Sequence, residues 1–254
     1  MVIDFHAHVS DTDYGNMDLL RTQMMEAGID KCVIVPGGMM DVRVMTLYIM
    51  GEKESDLEIP NHVVLSAMKK YPGIMYGFLC INPLEKEETS SWIEYGKANH
   101  FVGIKLNPMS HKFSFSGKTL TGAIRECAQM HWPVYSHTLF DVGASTKKFC
   151  ELARKHPDVN FVIGHMGFGP SDVTAFNLAK EIDNVYLESS NACFLAISEA
   201  LKIAGSDKIL FGSEFPMNLP EIQLFQMKKM GLSERDADKI FRANAIKLVP
   251  SLES

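Results

Sequence analysis

At 254 residues the chain has the usual length of one (β/α)8 barrel and can bury a large core without disulfide or metal staples. Its 31 acidic and 25 basic residues give a net charge of −6, which supplies no global attraction to nucleic acid or to an anionic membrane surface. The five cysteines are odd in number and scattered without a CxxC pair, which argues against a disulfide framework and for a reducing, cytoplasmic setting, and no apolar stretch is long enough to span a bilayer.

Short apolar runs rich in Val, Ile, Leu, Phe and Tyr alternate with longer amphipathic stretches. The predicted strands are Val2–His6, Cys32–Val35, Ile74–Cys80, Val102–Leu106, Val134–His137, Asn160–His165, Val185–Glu188 and Ile209–Gly212. They read as continuous apolar runs, which suits parallel strands covered on both faces. The predicted helices between them are Met17–Ala27, Asn61–Lys70, Lys86–Lys97, Thr119–Gln129, Ser145–Arg154, Asp172–Lys180, Ala192–Ile203 and Glu221–Met230, with a last one over Glu234–Leu248. Ser233, ahead of Glu234, Arg235 and Asp236, reads as an N-cap with acids in the first turn. Pro72-Gly73 stops one helix, Pro157 follows another, and Pro133 precedes a strand directly. Eight βα repeats with right-handed crossovers give either a closed barrel or an open doubly wound sheet, and the count of eight favours the closed TIM barrel, over 1–254 and undivided into domains. The longest connection, Gly37–Ile59, is expected to cap the site, with Met39, Met40, Met45 and Met50 as an apolar lid.

In such a barrel the strand C-terminal ends meet at one mouth. His6 and His8 end the first predicted strand, Lys105 lies near the end of the fourth, His137 ends the fifth, His165 the sixth, and Glu214 follows the eighth. Residues i and i+2 of a strand point to one side, about 6.5–7 Å apart. His-x-His on a strand can therefore reach one ion, and neutral imidazoles with a carboxylate form a good Zn2+ ligand set. The other histidines have blander readings: His62 and His100 in or near helices, His131 and His156 at helix ends. His111 lies in a loop facing substrate or solvent. Lys105 can snorkel, pair with Glu188, bind an anionic substrate, or become carbamylated and bridge two metals. Arg43 in the long connection can clamp a substrate carboxylate, and Phe140 and Phe168 can wall the pocket.

The stretches DFHAH, GIKLNP, PVYSHT, KHPDVNFVIGHMG, NVYLESS, KILFGSEFP and NAIKLV together resemble the amidohydrolase superfamily. They are most similar to its amidohydrolase-related branch, which includes aminocarboxymuconate semialdehyde decarboxylase. The resemblance spans nearly the whole chain and implies a (β/α)8 barrel with one or two divalent ions at its mouth. It implies His6, His8 and His137 as metal ligands, with Glu214 where the family has an aspartate. His165 then holds a second metal or polarises substrate or water, and Lys105 falls near the position where some members carry a carbamylated lysine.

The motif GSEFP departs from the family's GSDFP. The added methylene moves the carboxylate by roughly 1.5 Å where catalytic constellations tolerate about 0.5 Å. Glu214 can still ligate, act as base without ligating, or leave a crippled site. The leading expectation is a metal-dependent hydrolase of a small amide, ester or lactone: metal-activated water, Glu214 as base, and His165 polarising the electrophile. The rivals are a metal-dependent decarboxylase, a nuclease-type phosphodiesterase that the acidic balance disfavours, and a ligand-binding barrel without chemistry. The expected partner is a small molecule, with no nucleic acid and no membrane; the oligomeric state is left open, a homodimer included.

Overall fold

The computed structural model describes residues 1–56, 58–141 and 143–254, so Leu57, within the predicted lid connection, lies outside the described residues. Eight parallel strands run in chain order: β1 (Ile3–Val9), β2 (Lys31–Pro36), β3 (Met75–Ile81), β4 (Gly103–Leu106), β5 (Val134–Ser136), β6 (Phe161–Ile163), β7 (Val185–Glu188) and β8 (Ile209–Leu210). Backbone bonds close the ring. Phe5 N donates to the Phe211 carbonyl at 2.8 Å, Glu214 N to that of His6 at 2.9 Å, and His8 N to that of Phe215 at 2.8 Å. The fold is the predicted (β/α)8 barrel.

The side chains sort into two layers. Ile3, Phe5, Val33, Val35, Phe78, Tyr135, Val162, Tyr186 and Leu210 fill the barrel interior. Ala245, Leu248, Val249 and Leu252 of the C-terminal segment plug that interior from the end opposite the mouth, where Lys31 Nζ donates to the Leu252 carbonyl at 2.9 Å. The larger apolar layer lies between the strands and the surrounding helices. Gly77 shows how tight that layer is. A Cβ there would meet Met68 Sδ and Val64 Cγ1 of the helix Asn61–Lys70, so only glycine lets that helix seat on β3.

Helix starts follow the sequence signals. Asn16, Ser145, Asp172 and Ser233 each accept a backbone N–H of the first turn. The predicted last helix is interrupted: Glu234–Asp238 and Asn244–Leu248 are α-helical, and Lys239–Ala243 between them is π-helical.

Several strands end a residue or more away from the sequence reading, and at β1, β6 and β8 the difference bears on the mouth. β1 continues through His8 to Val9 instead of stopping at His6. β6 stops at Ile163, after which His165 and Met166 take left-handed φ of 58° and 57°. β8 stops at Leu210, and Glu214 sits at φ 62°. The pairing of β1 with β2 also slips between Asp4 and Ala7, two residues of β1 facing one of β2. This bulge changes the parity of the strand. Ile3 and Phe5 point inward before it, whereas Ala7 and Val9 belong to the outer layer after it. His6 and His8 are thereby turned into the barrel.

Among the described residues no helix is long and apolar enough to cross a membrane.

Candidate active site

A cavity of about 340 Å³ opens at the C-terminal end of the strands. His8, Lys105, His137, His165 and Glu214 line it, and His6 lies beneath, fully buried and stacked on the Tyr135 ring at 4.3 Å. Met39, Met40 and Met45 of the long connection form part of the wall, with Met109 and Met217. Of the long connection, Gly37, Gly38, Met39 and Met40 line the cavity, with Val42 and Met45 from the short helical turns Val42–Val44 and Met45–Ile49, whereas Met50 is exposed and does not. Phe168 lines the cavity, whereas Phe140, 87% exposed, lines an adjoining groove with Ile49 and Leu139.

Glu214 is the hub. Its Oε2 lies 3.0 Å from His6 Nε2 and 3.4 Å from His165 Nδ1, and its Oε1 lies 3.5 Å from His8 Nε2. The longer side chain has not left the cluster. The backbone turn at φ 62° brings the carboxylate back over the mouth. Burial, the largest influence, pushes the Glu214 carboxyl up, but His165, His6 and His8 together hold it well below the usual range. It is an ionised carboxylate facing imidazoles.

Burial, reinforced by Lys105, drives His6 and His137 well below the ordinary imidazole pKa. His8 Nδ1 lies 3.2 Å from the Pro36 carbonyl oxygen, which can only accept. That bond puts the hydrogen on Nδ1 and leaves a lone pair on Nε2, aimed at Glu214. His6 Nε2, 3.0 Å from the same carboxylate, meets no hydrogen-bond geometry with it, and both His6 ring nitrogens are buried without a partner. In neutral His8 a lone pair therefore faces the Glu214 carboxylate, an arrangement that a cation resolves, and the unpartnered His6 Nε2 adjoins the same carboxylate. Among the described residues His6, His8 and Glu214 are the set whose ligand atoms all lie within 4.8 Å of one another. Two imidazoles and a carboxylate suit a divalent ion such as Zn2+.

Of the expected ligands, His6, His8 and Glu214 fall together in this set, and His137 stands outside it. Its residue lies beyond the end of β5, and its ring runs nearly parallel to that of His165 at 6.5 Å, with Nε2 buried and unpartnered.

The substrate-binding expectations divide. Lys105 is 3% exposed and makes no ion pair among the described residues, with Glu188 or otherwise; its Nζ lies 4.2 Å from the Tyr135 ring centroid. Burial lowers its pKa to about 8 against the pull of Glu214. Arg43 is not in the cavity. It clamps Asp41 through Nε at 2.9 Å and Nη2 at 3.0 Å, stacks on Tyr14 at 4.6 Å, and is 65% exposed. The acid two residues before it satisfies it locally. His111 is not in the cavity either. It follows Met109 by two residues on the short helix Pro108–His111, a rotation of about 200°, so Met109 reaches the cavity and His111 is buried away from it. Burial lowers its pKa to about 4.

Two residues of this site escaped sequence reasoning as functional groups. Ser190 Oγ lies 2.9 Å from His165 Nδ1 and 3.2 Å from Glu214 Oε2, and it donates to Glu188 Oε2 at 2.7 Å. Their signal was NVYLESS, an acid ending an apolar run with a serine two residues on.

Among solved structures, an uncharacterised TIM-barrel protein from Bordetella bronchiseptica superposes with a TM-score of 0.79 at 16% identity, covering 100% of this chain and 99% of that one. A 5-carboxyvanillate decarboxylase from Novosphingobium aromaticivorans, with bound manganese, superposes at 0.73 and 16% identity over 98% of this chain and 96% of that one. A probable 2-pyrone-4,6-dicarboxylic acid hydrolase from Acinetobacter baumannii, with citric acid bound, gives 0.68 and 17% over 97% and 98%. Among curated proteins none matches the sequence. The family model described as Amidohydrolase matches residues 3–250, nearly the whole length, and the chain belongs to that family of enzymes.

Proposed function

We propose that this chain is a metal-dependent hydrolase of a small, anionic amide, ester or lactone, with the ion held by His6, His8 and Glu214. One observation carries the reading. The Pro36 carbonyl takes a hydrogen from His8 Nδ1, so the Nε2 of neutral His8 turns a lone pair toward the Glu214 carboxylate at 3.5 Å. A divalent ion bound there, Zn2+ in the first instance, supplies Lewis-acid polarisation of water and of the substrate carbonyl. A second ion would draw on His137 and His165, whose rings adjoin.

The chain's own groups do the rest. Glu214, ionised and within 3.4 Å of His165, is placed to take a proton from the attacking water and return it to the leaving group. Lys105 is a buried ammonium without a carboxylate partner among the described residues, so a substrate anion in the cavity meets a cation whose desolvation the fold has already met. The methionine wall accepts an apolar body of adaptable shape. Five unpaired cysteines, four of them buried, fit a reducing compartment such as the cytoplasm.

The same unpaired Lys105 favours a second reading, in which a substrate carboxylate is itself the group lost, as carbon dioxide. Two measurements test and separate these. Metal-stripped protein titrated with Zn2+ and with Mn2+ is expected to bind at least one equivalent, and His8→Ala and Glu214→Gln are expected to weaken binding by about 10–100-fold or more. Binding unchanged in both variants overturns the site. Lactones and aromatic carboxylic acids incubated in 18O-water then divide the chemistry: label in the product supports hydrolysis, and carbon dioxide release without label overturns it in favour of the lyase.

A further inference from the structure

Behind His165 a line of hydrogen bonds runs from the cavity into the barrel interior. Glu188, the last residue of β7, is fully buried. Every group that touches its carboxylate is a donor. The Tyr135 hydroxyl reaches Oε2 at 2.7 Å, the Ser190 hydroxyl the same oxygen at 2.7 Å, the His165 amide that oxygen at 3.3 Å, and the Ser190 amide reaches Oε1 at 2.5 Å. Burial raises the Glu188 carboxyl, and His165, Tyr135 and Ser190 pull it down. Four donors and no acceptor suit an ionised acceptor-only group.

Ser190 has one hydroxyl proton and two carboxylates within reach. Glu188 Oε2 at 2.7 Å is nearer than Glu214 Oε2 at 3.2 Å and takes it. The Ser190 oxygen then turns a lone pair toward His165 Nδ1 at 2.9 Å, and this contact is a hydrogen bond only when Nδ1 carries the hydrogen. The same N–H leans toward Glu214 Oε2 at 3.4 Å, which also accepts. Among the described residues His165 Nε2 has no hydrogen-bond partner, and the ring lines the cavity.

We propose that Glu188, acting through Ser190, is a positioning residue that locks neutral His165 in the Nδ1–H tautomer and so presents an Nε2 lone pair to the cavity. His165 then accepts, from water, from a substrate O–H or N–H, or from a second cation. It does not polarise a carbonyl while neutral, because the nitrogen facing the cavity carries no hydrogen. The inference rests on the proposed function only in that His165 works in that cavity; the hydrogen-bond directions stand without it.

The test reads the tautomer directly. Full-length, metal-stripped protein labelled with 15N-histidine is studied by long-range 1H–15N correlation over a pH series, the tautomer being read where the His165 shifts report the neutral ring, with His165→Gln assigning the signal. Wild type is expected to show the Nδ1–H form in about ten-fold excess or more. Ser190→Ala and Ser190→Cys, which leave only the longer Glu214 contact to hold Nδ1–H, are expected to reduce that excess several-fold, and Ser190→Thr, which keeps the hydroxyl, to retain it. Glu188→Gln can donate to Ser190, reversing the line, and is expected to favour Nε2–H. Thermal unfolding of each variant identifies those that fold. A wild-type Nε2–H form, or an unchanged ratio in a folded Ser190→Ala or Ser190→Cys protein, overturns the proposal. Failure of the Zn2+ and Mn2+ titrations would overturn the metal reading and leave this result untouched.

Discussion

Glu214→Asp is the substitution that most directly probes how the site is built, because it restores the residue that the resemblance expects. The Glu214 carboxylate oxygens now lie 3.0 Å from His6 Nε2, 3.5 Å from His8 Nε2 and 3.4 Å from His165 Nδ1. Removing one methylene retracts the carboxylate by about 1.5 Å, three times the roughly 0.5 Å such constellations tolerate. The backbone resists following it, because Glu214 N is bonded to the His6 carbonyl at 2.9 Å and Phe215 N to Ser213 Oγ at 3.2 Å. Loss of a supporting partner alone typically costs 10–100-fold in metal affinity, so loss of a ligand should cost at least about that much. Folding should change little without metal: about 0.8 kcal/mol is lost with the buried methylene, while an aspartate is better tolerated than a glutamate at left-handed φ. Competition against a chromophoric chelator measures the first quantity and urea unfolding of metal-stripped protein the second. Zn2+ or Mn2+ affinity equal to or above wild type, together with faster turnover, would refute the reasoning and mark the natural glutamate as an impairment.

Asp4 accepts from His6 N at 3.1 Å and Ser213 N at 3.0 Å through Oδ1, while its buried Oδ2 has no partner. Burial pushes its carboxyl from 3.8 up to about 7 despite those bonds. The native state therefore binds more protons than the unfolded chain between those values, and the Asp4 contribution to stability is lost as pH rises through about 7, of order 4 kcal/mol in all. Metal-stripped Asp4→Asn should remove that slope, so its stability relative to wild type rises with pH across this window; urea unfolding at several pH values checks it, and a flat difference counts against it. Gly212→Ala should destabilise by about 1–3 kcal/mol or more, because a Cβ there collides with the Glu188 carboxylate, and denaturant midpoints will show it. Lys105→Met should raise KM for an anionic substrate about ten-fold or more, while Arg43→Ala, which breaks an exposed pair outside the cavity, should change KM little and stability by no more than about 1 kcal/mol. Steady-state kinetics on whichever acid or lactone is turned over distinguishes these, and a larger effect at Arg43 than at Lys105 would reverse the assignment.

The barrel was legible in the sequence because continuous apolar runs at βα spacing leave few alternatives. The gathering of His6, His8, His165 and Glu214 at one mouth followed from strand polarity alone. What was not legible has a common cause: side-chain satisfaction is local and invisible to spacing. Arg43 looked like a free cation, but Asp41 neutralises it within its own turn. His111 looked like a loop residue, but Asn107 caps a helical turn that carries it inward. Glu188 and Ser190 looked like the end of an apolar strand, yet they support His165 from behind.

The three elements that deliver the hub and the imidazoles around it all break regular strand geometry. β1 bulges between Asp4 and Ala7, β6 gives way to left-handed His165, and the chain after β8 to left-handed Glu214. Strand alternation explains why His6 and His8 share a side, but not which side. With Ile3 and Phe5 facing inward, unbroken alternation would carry Ala7 and Val9 into the barrel and send His6 and His8 toward the helices. The bulge reverses this, and Asp4 accepts the His6 amide at that irregularity while also receiving Ser213 N from the segment that holds Glu214. One carboxylate thus ties the bulge to the turn that carries the hub. Left-handed φ at non-glycine residues costs of order 1–3 kcal/mol each and persists only where surroundings over-determine it. Here Ser190 and Glu188 hold His165, and the β1 carbonyl of His6 holds Glu214. The departures from strand rules are therefore coupled to one another, and it is their coupling that aims the side chains at a common point.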